Sequence, residues 1–339
     1  MPELYFPFSV HTDIGHEEYD REAVQWLSRC SDLPQDQLDA ITGSRIAAML
    51  AFSAASARPE LIKIFAKWAV VNLLVDDVVE SSPIEQAAAT AACGRRIWDD
   101  PATPAPGGWI IALMRQNTYE LLTSATPVQR QRLRVAHQEY FAALLTQHLL
   151  DAAPQPPSLQ VHTMVREATS GMPALSAVLE FVSGMEIPEN EYHSPRVRAF
   201  AQAAHLTAGW INDICSFAKD VREGHQNNLV AVLAARSGCD MQEAVDEAVK
   251  VINSAYYVMD VLARGLLRDS SPALRGYVSF MLRKHGAFLP WQLNSPRYAE
   301  ATAGETLKVT SVPPAGIHMR PGISSIDWWW DHLPARGPE

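Results

Sequence analysis

Between Asn212 and Asp220 the sequence reads NDICSFAKD, which places an amide, a hydroxyl and a carboxylate four residues apart. On a helix each residue advances about 100°, so Asn212, Ser216 and Asp220 fall within roughly 80° of one another. Three hard oxygen donors on one stripe are a set that a Mg²⁺ ion accepts. The surrounding HLTAGWINDICSFA is too apolar for a plainly exposed face. A second cluster, Asp76, Asp77 and Glu80 in LLVDDVVE, ends an apolar run from Ile64 to Val75 whose clearly polar members are Lys67 and Asn72. Asp76 and Glu80 stand at i and i+4, where like charges cost stability in an isolated helix. Two readings fit this cluster: a helix end emerging into water, or a carboxylate pair whose repulsion a bridging Mg²⁺ offsets.

The elements that would position these clusters are helices. Apolar periodicity predicts them over 17–29, 35–54, 58–80, 83–98, 108–123, 126–151, 158–182, 195–222, 228–237, 241–267 and 272–286. The separators, among them DDPATPAPGG, APQPPS and IPENEYHSP, carry helix punctuation. Strand signals are almost absent. About eleven helices with no composition shift before residue 300 read as one all-α domain over residues 1–305. Residues 306–339 are rich in Pro and Gly without a helical period, which predicts a flexible extension. Trp328, Trp329 and Trp330 are an odd cluster for a solvated tail, and docking on the domain or on another subunit is the alternative.

Composition excludes several function classes. The formal net charge of −10 argues against nucleic acid as the main partner. The N-terminal MPELYFPFSVHTD has no basic region followed by an apolar run, and the strongest apolar run, WAVVNLLV, is too short to span a bilayer. Cys30, Cys93, Cys215 and Cys239 show no CxxC spacing, so no zinc or redox motif is expected and a reduced, cytoplasmic chain fits.

With these residues in view, the sequence resembles the class I terpene synthases of the bacterial type. DDVVE is similar to their aspartate-rich DDxx(D/E) motif, and NDICSFAKD to their second metal motif, (N/D)Dxx(S/T)xxx(E/D), including the lysine before its last acid. Arg166 in VREATSG lies 46 residues before Asn212, where bacterial members carry a diphosphate-sensing arginine. Arg297 and Tyr298 in PWQLNSPRY match a C-terminal Arg-Tyr pair, and HQNNLV resembles the segment that follows the second metal helix. The likeness covers roughly residues 5–300. It implies a single α-helical bundle with a deep central cavity and the two metal motifs facing each other across its mouth.

The resemblance also implies a chemistry. An isoprenyl diphosphate loses its diphosphate, and the allylic cation cyclises to a terpene hydrocarbon or alcohol. Three Mg²⁺ ions are implied, two held by Asp76 with help from Asp77 or Glu80, and the third by Asn212, Ser216 and Asp220. Arg166, Lys219, Arg297 and Tyr298 would bind the diphosphate, and Thr169 and Ser170 would mark a helix break that points a carbonyl at the cation. Phe65, Trp68, Trp210, Phe217 and Trp291 are candidates for an aromatic cavity wall or for ordinary core. The aliphatic Leu73, Leu74 and Val75 before Asp76 hint at a roomier cavity. Farnesyl diphosphate is the first substrate expectation and geranylgeranyl diphosphate the alternative; a homodimer is left open. One departure stands out: the last acid of the second motif is usually Glu and here is Asp220, one methylene shorter. Two rivals fit less well. A chain-elongating isoprenyl synthase would carry a second DDxxD where this chain has NDICS, and a non-enzymatic helical interaction protein would leave both clusters unexplained.

Overall fold

The structure, a computed structural model, describes residues 2–104, 107–294 and 307–334. It contains fourteen α-helices: α1 (Glu17–Cys30), α2 (Gln35–Ser44), α3 (Ile46–Ser53), α4 (Pro59–Ser81), α5 (Ile84–Asp99), α6 (Trp109–Ser124), α7 (Pro127–Asp151), α8 (Leu159–Thr169), α9 (Met172–Val182), α10 (Glu189–Tyr192), α11 (Pro195–Glu223), α12 (Leu229–Ser237), α13 (Met241–Asp269) and α14 (Pro272–Asn294). The all-α bundle expected from periodicity is therefore present, and most boundaries fall within a few residues of the expected ones.

Local chemistry explains where the long helices start and stop. Thr126 caps α7 in a capping box with Gln129, with Pro127 at the first helical position. Asp240 and Glu243 form the same box at the head of α13. Ser194 caps α11, which ends at Gly224 in the left-handed conformation (φ 82°). Two expected helices are broken. The 35–54 segment splits at Arg45 (φ 55°), whose side chain donates to the Gly15 carbonyl and pairs with Glu17 at 2.5 Å. The 158–182 segment splits at Gly171 (φ 68°), a conformation in which glycine escapes the Cβ clash.

Along the bundle, α11 packs on α13, α14 and α8, while α4 packs on α3, α6, α7 and α9. The central faces of these helices are apolar and join one continuous core. Such burial of large side chains supplies most of the favourable folding energy, at about 25 cal/mol per Å².

The tail corrects an expectation. Its described part, residues 307–334, is not a loose extension: β2 (Lys308–Thr310) pairs in parallel with β1 (Glu3–Tyr5), aligning Leu4 with Val309. These strands are three residues each, too short to leave an alternating pattern. A 3₁₀ helix (Asp327–His332) then packs on α11 and α13, with Trp329 wholly buried and Trp330 nearly so. The Trp329 indole N–H donates to Gln202 Oε1 at 2.7 Å, and that of Trp330 to the His318 carbonyl at 2.7 Å. The indoles bury large apolar area and satisfy their polar edges, which holds a Pro/Gly-rich segment in place. Of the two alternatives for the tryptophan cluster, docking on the domain is what the structure contains.

Candidate active site

The acids of α4 and the oxygen donors of α11 meet. Asp76, Glu80, Asn212, Ser216 and Asp220 line one polar opening, joined by Lys219, Arg166, Asp151, His225 and Asn227. Asp77, next in sequence to Asp76, does not line it. Asp76, Arg166, Thr169 and Asn212 also line a cavity of about 160 Å³ below the opening, so the two spaces share a rim.

Arg166 organises that rim. Largely buried, it reaches from α8 to α11, with Nε 2.8 Å from Asp213 Oδ1 and Nη2 donating to Asn212 Oδ1 at 2.7 Å and to the Gly209 carbonyl at 3.1 Å. A Cβ at Gly209 would sit 3.2 Å from Ser170 Cβ and 3.4 Å from Arg166 Cγ, so glycine is what lets α8 approach α11 so closely. Burial disfavours the charged guanidinium, but Asp213, Asp220, Asp76 and Glu80 outweigh it and raise its pKa. The arginine thus lies in the field of both acid clusters.

Asp213 was missed by sequence reasoning, which took Asn212, Ser216 and Asp220 from this motif. Its carboxylate lines the same opening but is turned toward α8, where Arg166 and His162 occupy it. Burial alone would raise its pKa, yet Arg166, His162 and the Leu229 N–H hold it below the ordinary carboxylate range. His162 Nε2 lies 3.2 Å from Asp213 Oδ2, and its other ring nitrogen meets Asn227 Oδ1 at 2.9 Å. The HQNNLV segment therefore braces the mouth: Asn228 Nδ2 donates to the Asp213 carbonyl and to Asp220 Oδ2, both at 2.8 Å.

The donor set suits a hard cation that keeps waters. Asp220 accepts from Ser216 Oγ at 2.7 Å, and burial raises its pKa. Among the described residues no three His, Cys, Asp or Glu side chains converge into a closed ligand cage. An open arrangement of carboxylate, amide and hydroxyl oxygens is how Mg²⁺ is usually held, with water and phosphate oxygens completing the shell. Tyr140, fully buried, hydrogen-bonds Asp76, and burial together with the α4 acids raises its pKa. Lys219 pairs with Glu223 at 2.8 Å. Arg297 and Tyr298 lie outside the described residues.

Below the rim the walls turn apolar. Trp68, Leu73, Leu175, Phe288 and Trp291 line the cavity, with Tyr140 and the α8–α9 break residues Thr169, Ser170 and Gly171. Ser170 Oγ donates to the Glu167 carbonyl at 2.7 Å and accepts from Met172 N at 3.2 Å, which fixes the break. Trp68 is held by a donated hydrogen bond from its indole N–H to His137 Nε2 at 2.9 Å, and Trp98 stacks on His137 at 3.5 Å. Of the other aromatic candidates, Phe65 and Trp210 are fully buried in the core, and Phe217 packs against that core; none lines the cavity. The cavity is also not roomy. Its volume is below the roughly 300–1,000 Å³ of ordinary small-molecule sites, because Ile46, Leu50, Met172 and Phe288 crowd it. A larger groove of about 1120 Å³ lies along α7, α8, α10 and α11, but it gathers none of the oxygen-donor set, so the smaller cavity is the candidate site.

The sequence model described as "Terpene synthase family 2, C-terminal metal binding" matches residues 67–256, more than half of the chain, and spans both acid clusters and Arg166. The chain is a class I terpene synthase. It is 27% identical to the bonnadiene synthase of Allokutzneria albata over 98% of this chain and 97% of that enzyme. It is 25% identical to the (−)-alpha-amorphene synthase ((2E,6E)-farnesyl diphosphate cyclizing) of Streptomyces viridochromogenes, covering 93% of this chain and 91% of that one. In fold it is similar to the SVS_A2 protein from ancestral sequence reconstruction, with a TM-score of 0.80, 24% identity and 98% of each chain covered. No helix among the described residues is long and apolar enough to cross a membrane.

Proposed function

We propose that this terpene cyclase acts on farnesyl diphosphate, binding it with three Mg²⁺ ions at the polar mouth and folding its chain into the apolar cavity. The carrying observation is the shared rim: Asp76, Arg166, Thr169 and Asn212 belong at once to the oxygen-rich mouth and to the aromatic-walled cavity. A diphosphate at the rim has its carbon chain directed inward, where the crowding side chains must give way to admit it. The farnesyl specificity in the name of one relative favours C15 over C20.

Asp76 and Glu80 on one side, and Asn212, Ser216 and Asp220 on the other, would hold the ions. Bound magnesium supplies charge neutralisation of the leaving diphosphate. The chain's own residues do the rest. Arg166, already aimed by Asp213, presents a planar fork to phosphate oxygens, and Lys219, Arg297 and Tyr298 add donors. Preorganisation matters because charge builds on the leaving group as the C–O bond breaks, and donors fixed beforehand cost no reorganisation. Trp68, Phe288 and Trp291 face the resulting cation with π-electron density and exclude water. Thr169 and Ser170 set the α8–α9 break against the same space. A reducing cytoplasm is the location we propose, a setting that suits four free thiols.

Separate incubations with C10, C15, C20 and C25 diphosphates, with and without Mg²⁺, test this reading. The expected result is Mg²⁺-dependent diphosphate release with a cyclic C15 product dominating. Cyclisation of the C20 substrate alone would overturn the farnesyl assignment.

A further inference from the structure

Lys284 is a buried titratable group for which the reaction outlined above has no use. It lies on α14 with Phe288 at i+4 and Trp291 at i+7, and both of those line the cavity. Lys284 therefore continues the cavity-facing stripe one turn deeper. It has no solvent exposure. Its Nζ donates to Met172 Sδ at 3.1 Å and stands 5.3 Å from the centre of the Phe288 ring. Met172 is itself a wall residue and the first residue of α9 after the break.

A thioether is a weak acceptor, and one ring face does not replace the hydration of an ammonium. Burial pulls the Lys284 pKa down to about 7, with no carboxylate among the described residues opposing that shift. The titratable groups facing it are few. His205 on α11 and His285 on α14 are both lowered, chiefly by burial. Behind His205, Glu167 on α8 is engaged by that histidine and by Gln202. Glu180 on α9 pairs with Arg132, and Asp260 on α13 with Arg264. Helix α3 contributes no titratable residue, and the N-terminal segment brings His11, whose backbone N–H donates to the Gly286 carbonyl.

We propose that Lys284 is a specificity-determining residue of the cyclisation: its amine closes the deep end of the cavity behind Met172 and Phe288 and limits how far positive charge moves along the bound chain. A carbocation near Phe288 draws on the electron density of that ring. An ammonium held over the same ring competes for it and repels the charge toward the diphosphate end, whereas a neutral amine does neither. The inference rests on the cyclase reading and adds to it the residue that sets the depth of charge migration.

The test is the product profile from farnesyl diphosphate between about pH 6 and about pH 9, for wild type, Lys284→Met and Lys284→Gln, with diphosphate release followed in parallel. In wild type, the ratio of products from cations far from the diphosphate end to products from cations near it is expected to rise as pH passes about 7. The rise should be about tenfold, the scale of a cation–π contact. Both variants should hold the high-pH profile throughout. A wild-type profile that is flat with pH, or variants that keep the same pH-dependent shift, would overturn the proposal. The wild-type arm decides the matter even if a variant fails to fold. Absence of diphosphate release from wild type at every pH would overturn the cyclase reading, and this proposal with it; release with a flat profile overturns this proposal alone.

Discussion

At the mouth of the cavity, charge is met by charge. Arg166 lies 2.8 Å from Asp213, and Asp220 accepts from both Ser216 and Asn228. Behind the walls, charge is suppressed instead: His137 is pushed down to about 3 and Lys284 to about 7 by burial. The difference matches two successive demands of one reaction. Breaking a C–O bond to diphosphate calls for dense, fixed charge, while guiding the cation that remains calls for surroundings in which no fixed anion or water can quench it.

Four substitutions would break or sharpen this contrast. Asp76→Asn should remove the charge that metal binding needs while keeping shape and the acceptor for Tyr140. Turnover is expected to fall at least about 10²–10³-fold with thermal unfolding nearly unchanged; near-normal product formation at limiting Mg²⁺ would remove Asp76 from the metal site. Asp213→Asn breaks a buried ion pair and leaves Arg166 only the more distant Asp220, Asp76 and Glu80, at up to about 3 kcal/mol of stability. Denaturant titration should register that loss, together with an increase in KM as the arginine loses its aim.

Lys284→Met carries the opposite sign. The lysine's folded pKa of about 7 lies below its unfolded value, so the folded state is penalised once the unfolded chain binds the proton and the folded chain does not. That penalty is absent above about pH 10.4, grows as pH falls toward 7 and is constant below. The variant should therefore be more stable than wild type by a few kcal/mol near neutral pH, with the advantage vanishing as pH rises toward 10. A constant advantage across that range would mean that the amine is ionised in the folded state. The smallest effect is expected from Trp329→Phe, which loses the Gln202 hydrogen bond and part of a buried ring for about 1–2 kcal/mol. Because Gln202 leads through Glu167 toward α8, the variant also tests whether the tail steadies Arg166 from behind. An unchanged KM would confine the tail to a structural role.

Much of the bundle was legible because long amphipathic helices carry their period in any fifteen-residue window. The metal-type stripes were legible for the same reason: Asn212, Ser216 and Asp220 need only helix geometry to share a face. What depends on distant partners was not. The break at Arg45 is specified by Gly15 and Glu17, some thirty residues away. The role of Asp213 needs His162 on another helix, and the burial of Lys284 in MLRKHG contradicts the solvated look of its two basic neighbours. The tail shows a mixed case. Its three tryptophans were a visible anomaly, but the three-residue strand that anchors it has no signature beyond its pairing.

That pairing has a consequence for how the protein comes into being. Glu3 and Lys308 are 305 residues apart in sequence, yet their strands share one ladder. A ribosome adds about 5–20 residues per second, so the first strand waits on the order of a quarter of a minute or longer for its partner to be made. During that time Leu4, Tyr5 and Phe6, all buried in the finished protein, have no ladder to join. The ladder is thus among the last features to lock, and a nascent chain stalled before α13, on which β1 also packs, would display that apolar segment to whatever chaperone attends it.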